Sequence, residues 1–191
     1  MRRLAWLAVG TTLAAGVVGV WRQRREAVEA RTQGRSPRRP IGLADTPQMG
    51  ALATQLATWV PPRPSTRAGR LAAALWALPL TVAGLGFGIA SGGRPRWDEG
   101  LGCLVFERSG GVSGRILQTI GARANAMGQV VVVTADSGSE RLLAHEAVHV
   151  RQAERLGPLL FVAYTWLAAR YGYADHPLER AARLGAETAN T

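Results

Sequence analysis

The sequence predicts an α+β protein tethered to a membrane by one or two N-terminal helices. Three observations carry this expectation. Two uncharged apolar runs, Leu4–Trp21 and Leu71–Ala90, are each long enough to cross a bilayer as a helix. Two β-branched stretches, "LGCLVFE" (101–107) and "QVVVVT" (129–134), read as short strands. A helical pattern then starts near Glu140 and stops at Gly157–Pro158.

Residues 1–21 form the first segment, a transmembrane anchor or signal-anchor. Arg2 and Arg3 precede the run, and Arg22, Arg24 and Arg25 crowd its far end. That length and those flanks favour an anchor over a cleaved signal. Residues 22–70 read as an Arg/Pro-rich linker, with "RTQGRSPRRP" and "PPRPSTRAGR" as extended, solvated chain. Within it Met49, Leu52, Leu56 and Trp59 recur at helical spacing, as a short surface helix would place them. Residues 71–90 are the stronger membrane helix, with Pro79 tolerated inside it.

All 23 basic side chains are arginine. Residues 1–70 hold 12 of them against three acids, and residues 71–191 hold 11 against ten. The positive charge therefore sits beside the apolar runs, which points to a lipid bilayer as partner. No zinc finger or aromatic RNA-binding strand appears, so no specific nucleic-acid partner is expected. The ten arginines between Arg22 and Arg70 favour the cytoplasmic side for the linker. With both runs spanning a bacterial cytoplasmic membrane, residues 91–191 lie on the extracytoplasmic side. Cys103 is the one cysteine and reads as a small buried strand residue.

Residues 91–191 carry the chemistry. "RILQTI" between the strands suggests a short helix, and Ser137 with Glu140 suggests a capping box before the long one. That helix contains H-E-x-x-H at 145–149. Residues at i and i+4 share a helical face, so His145 and His149 can bind one zinc ion. Glu146 lies beside the pair, placed to act as general base on a water without being a ligand. Gln152 continues the face as a possible outer partner of the histidines. A third ligand has to come from elsewhere. His176 and Glu179 in "YADHPLERAARLGAE" are the candidates, and Glu187 is a weaker one. Pro177 opens a helix with Glu179 in its first turn. Glu154 is too far round the first helix to share the metal. Tyr164, Tyr171 and Tyr173 are candidate oxyanion donors or packing aromatics. "GPLLFVAYTWLAA" (157–169) is too short to span and suits a buried or interfacial helix.

The stretch "AHEAVHVRQAERLGPLLFVAY…YADHPLERAA", with "LWALPLT" upstream, resembles a group of uncharacterised bacterial membrane-associated metallopeptidases of gluzincin type. The resemblance covers about residues 71–187. It implies a minimal zincin-like domain: short strands, the H-E-x-x-H helix and a C-terminal ligand helix. It also implies zinc on His145, His149 and Glu179, with Glu146 as base. The group has Asn where this chain has His176, which leaves that histidine a rival ligand. The expected function is a membrane-anchored zinc-dependent peptidase acting on peptide or protein substrates. The alternative is a non-catalytic membrane protein that keeps the metal site for structure or binding.

Overall fold

The computed structural model describes residues 29, 32–34, 50–134, 139–173 and 175–189. The first apolar run and Ser137 lie outside the described residues. Among the described residues the elements are α1 (Ala51–Ala57), α2 (Arg67–Ala90), β1 (Arg94–Asp98), β2 (Cys103–Ser109), α3 (Val112–Thr119), β3 (Ala124–Met127), β4 (Val130–Thr134), α4 (Glu140–Leu156), α5 (Leu159–Tyr171) and α6 (Pro177–Thr188). The architecture is α+β, as expected.

The sheet order is β1-β2-β4-β3. β1 pairs antiparallel with β2, β2 parallel with β4, and β4 antiparallel with β3. The two expected strands are the central pair. The valines of β4 are buried on both faces, as a central strand covered on each side requires. Val131 and Val133 pack with Cys103, Val105 and Val150, on the side of α4. Val130 and Val132 pack with Phe106 and Leu117, and Leu85 and Phe87 of α2 close over them. The sheet is therefore sandwiched between α4 on one face and α2 with α3 on the other.

The two outer strands carried no apolar signal. β1 is "RPRWD", mostly exposed, and is held by Arg96, which binds Asp98 and Glu107 at 2.9 Å each. A polar edge strand with a proline is what an open sheet edge tolerates. β3 is "ANAM", joined to β4 through Gly128, whose φ of 59° turns the hairpin.

α2 is long and apolar enough to cross a membrane. It is also part of the sheet's cover. Ala77, Gly84 and Gly88 form its buried stripe. A Cβ added at Gly88 would meet the Phe106 ring at 2.4 Å, and one at Gly84 the Met127 carbonyl at 2.5 Å. Thr81 Oγ1 accepts from the Gln129 N–H at 3.1 Å. Gly88→Val is expected to lower the melting temperature, through a loss of about 1–3 kcal/mol from overpacking. Thermal denaturation checks it.

Cys103 is buried in the core. Burial, helped by the nearby Asp98 charge, pushes its thiol up to about 11. The native protein is thus expected to resist maleimide near neutral pH and to react once denatured, since the thiolate is the nucleophile.

The Pro-rich segment before α2 is not free chain where it is described. Ala53 of α1 is buried and α1 packs on α6. Pro61 is buried, Arg155 donates to the Pro62 carbonyl (3.2 Å), and Arg63 donates to the Glu99 carbonyl (2.7 Å).

Candidate metal centre

α4 spans the limits its sequence predicts, but its cap is Ser139, whose Oγ accepts from the Leu142 N–H at 3.3 Å. The S-x-x-E reading placed the cap two residues early, because Ser137 and Ser139 both precede the helix. Val150 anchors α4 to the core. Arg151 and Glu154 pair at 2.6 Å in a buried bridge, and Arg151 also donates to the Leu101 carbonyl. Gln129 donates to Glu154 at 2.7 Å. Glu154 is thus committed to holding α4 on the sheet, away from the histidines, as its helical position implied.

His145 and His149 stand one turn apart, their Nε2 atoms 3.2 Å from each other. α6 packs along α4 and brings Glu179 to the pair. Glu179 Oε2 lies 3.4 Å from His145 Nε2, and Oε1 lies 3.5 Å from His149 Nε2. These three residues form a group able to hold a metal ion. Their donor spacings can be tested against zinc. With zinc–nitrogen and zinc–oxygen bonds of about 2.0–2.2 Å, tetrahedral ligands lie about 3.3–3.6 Å apart. The His145–His149 separation of 3.2 Å is close to such an edge, while the 3.4 and 3.5 Å contacts to Glu179 run to its two different oxygens, so the carboxylate straddles the pair.

The surroundings orient the donors. His149 Nδ1 donates to Gln152 Oε1 at 2.9 Å, and Gln152 Nε2 donates to the Leu178 carbonyl at 3.3 Å. The second bond fixes which end of the amide faces the imidazole. The first then leaves His149 Nε2 as the metal-facing nitrogen. Gln152→Ala is expected to weaken zinc binding about 10–100-fold without abolishing it; competition with a chelating dye measures this.

Tyr164 of α5 donates to Glu179 Oε1 at 2.5 Å. It is therefore a partner of the carboxylate, a contact across 15 residues that no local pattern announces. Tyr171 instead packs beneath the Arg170 guanidinium.

His176, the rival ligand, stands outside the group. It precedes α6, and its Nε2 donates to the Tyr164 carbonyl at 3.0 Å, its ring tilted 4.2 Å from the Tyr164 ring. Glu187 pairs at the surface with Arg141.

Glu179 is 1 % exposed and Glu146 is 5 % exposed. Burial lowers the His149 pKa, but the Glu179 charge and hydrogen bond outweigh it. Glu146 and Gln152 add to the rise, so His149 stands at about 9. Glu146 is thus close enough for its charge to act on His149.

Residues 105–157 match the family model of the eCIS core domain, a bacterial family of uncertain function. The match runs from β2 to the end of α4, so it includes His145, Glu146 and His149 and stops short of Glu179. No peptidase family matches. No curated protein and no solved structure matches the chain. What the comparisons establish is that 53 of the 191 residues, the sheet centre and the H-E-x-x-H helix, are similar to the eCIS core domain.

Proposed function

We propose that this chain is a membrane-attached, zinc-dependent peptidase with a minimal zincin-like arrangement. His145, His149 and Glu179 hold the ion and Glu146 is the general base. The observation that carries this reading is the convergence of two imidazoles and one buried carboxylate from two helices, the histidine Nε2 atoms 3.2 Å apart and each within 3.5 Å of a Glu179 oxygen. Zinc in such a set acts as a Lewis acid toward a scissile carbonyl and makes water nucleophilic at neutral pH.

The chain's own groups do the rest. Gln152 holds His149 in the tautomer that presents Nε2. Tyr164 holds the Glu179 carboxylate. Glu146 takes a proton from the attacking water and returns it to the leaving amine. The substrate is a peptide or protein.

The second reading, a metal site kept for structure or binding, draws on the burial of Glu179 and Glu146. Structural zinc sites are closed by four protein ligands, and the group here supplies three among the described residues. A fourth position left to water favours catalysis. Hydrolysis of a mixed library of quenched fluorescent peptides is the test. Activity is expected to vanish on chelation and return with added zinc. A zinc-loaded protein that cleaves nothing in the library favours the second reading.

A further inference from the structure

The chain before α2 and the chain after it are packed into one body. Val60 and Val148 both crowd Gly185. The Pro62 carbonyl is bound by Arg155 of α4. Arg63 reaches the Glu99 carbonyl, in the β1–β2 turn that follows α2, at 2.7 Å. A membrane-crossing α2 would set residues 50–66 and 94–188 on opposite sides of about 30 Å of hydrocarbon.

The helix is also fastened along its length. Trp76 Nε1 donates to the Arg155 carbonyl at 3.3 Å, Thr81 receives the Gln129 N–H, and Ser91 joins Ser109 at 3.0 Å. From Trp76 to Ser91 is about 22 Å of helix at 1.5 Å per residue. A crossing α2 would drag these strand and helix contacts into lipid with it, together with the polar groups around Gln129 and Arg155, at a heavy desolvation cost.

The outward side of α2 is apolar. Leu71, Leu75, Leu78, Val82 and Ile89 are all exposed. Their spacing of four, three, four and seven residues puts them on one face, away from Ala77, Gly84 and Gly88 on the sheet. Exposed arginines bracket the helix, Arg67 and Arg70 at its start and Arg94 just past its end. α5 starts beside Trp76, because Gly157 abuts that indole, and it exposes Phe161 and Trp166. An apolar stripe with arginines at both ends and tryptophans close by matches the headgroup zone of an anionic bilayer.

We propose that α2 lies in the plane of an anionic membrane surface rather than crossing it. Its outer stripe is seated among lipid chains, and both of its flanks and the metal centre stay on one side. This deepens the membrane attachment of the reading above and is independent of zinc and of catalysis. An extracytoplasmic metal centre was expected from a second crossing; with α2 in plane, that crossing is gone.

The test uses the full chain in sealed membrane vesicles of both orientations. Ser65→Cys and Glu99→Cys are made singly in a Cys103→Ser background and treated with a membrane-impermeant maleimide. Both are expected to label in the same vesicle orientation and to be protected in the other. Labelling in opposite orientations overturns the proposal. Nitroxides at positions 71, 78, 82 and 89, in vesicles containing phosphatidylglycerol, then give depth. In-plane seating predicts four similar, shallow depths. A profile deepest at mid-helix means that α2 crosses. Four water-exposed labels mean that no lipid covers the face. Either result overturns the proposal, and neither bears on whether the chain hydrolyses peptides.

Discussion

Purified full-length protein is expected to bind about one zinc ion per chain, and Glu179→Gln or His149→Ala to cost at least about two orders of magnitude in affinity. The reason is the ligand count. The group contains two imidazoles and one carboxylate, and removing one of three protein donors costs more than removing an outer partner, whose loss is worth about 10–100-fold. Metal analysis and chelator competition read the effect. His176→Ala serves as the control, because that ring is engaged by the Tyr164 carbonyl. If His176→Ala abolished binding and Glu179→Gln left it intact, the ligand assignment would be wrong.

Metal binding is also expected to depend on pH with a definite sign. In the metal-free protein His149 stands at about 9, so at neutral pH zinc must displace a proton from it. Affinity should rise about tenfold per pH unit toward pH 9 and level off there, with proton release seen in calorimetry below that point. Metal-free stability runs the other way. A folded-state pKa above the ordinary 6.5 gives stabilisation that is complete below about pH 6.5 and lost as pH rises through about 9.

The H-E-x-x-H helix was legible because its signals are local. Its apolar pattern, the Gly157–Pro158 stop and the histidine spacing all lie within one element. The third candidate, Glu179, was favoured over His176 by its helix-start position and by the resemblance, but its approach to the histidines depends on the packing of α6 on α4, which no local pattern encodes. His176 illustrates this. Its residue type suits a metal, but its position before α6 places its ring on Tyr164.

The fold shows the same division. The central strands announced themselves through valines, whereas β1 and β3 are held by pairing and ion pairs. The α2 run was read by hydropathy alone, which records its outer leucines and overlooks the small residues between them. Ala77, Thr81, Gly84 and Gly88 repeat at four, three and four residues, a stripe on which a sheet can sit closely. The segment before it was read as solvated from its Arg and Pro content. Its anchors are one guanidinium, one carbonyl and a few buried side chains, too sparse to shift a compositional reading.

Glu146→Gln is expected to leave zinc content near one per chain while lowering kcat for peptide hydrolysis by about 10²–10⁴, the usual contribution of a positioned general base. The substitution keeps the side chain's size and removes its charge and its ability to accept a proton. Glu146 is nearly buried, and its charge acts on His149, so the exchange also lets the His149 pKa fall slightly. It removes a negative charge near the ion as well, so zinc content is read beside kcat to separate loss of metal from loss of turnover. The two readings of the site part here. In a peptidase the variant is a zinc-loaded, folded and nearly inactive protein. In a structural or binding site, wild type and variant hold zinc alike and neither turns over. A variant that loses its metal would show that Glu146 supports the ligands, and one that hydrolyses peptides at the wild-type rate would remove it from the mechanism. Zinc content, melting temperature and kcat measured on the same preparations decide among these outcomes.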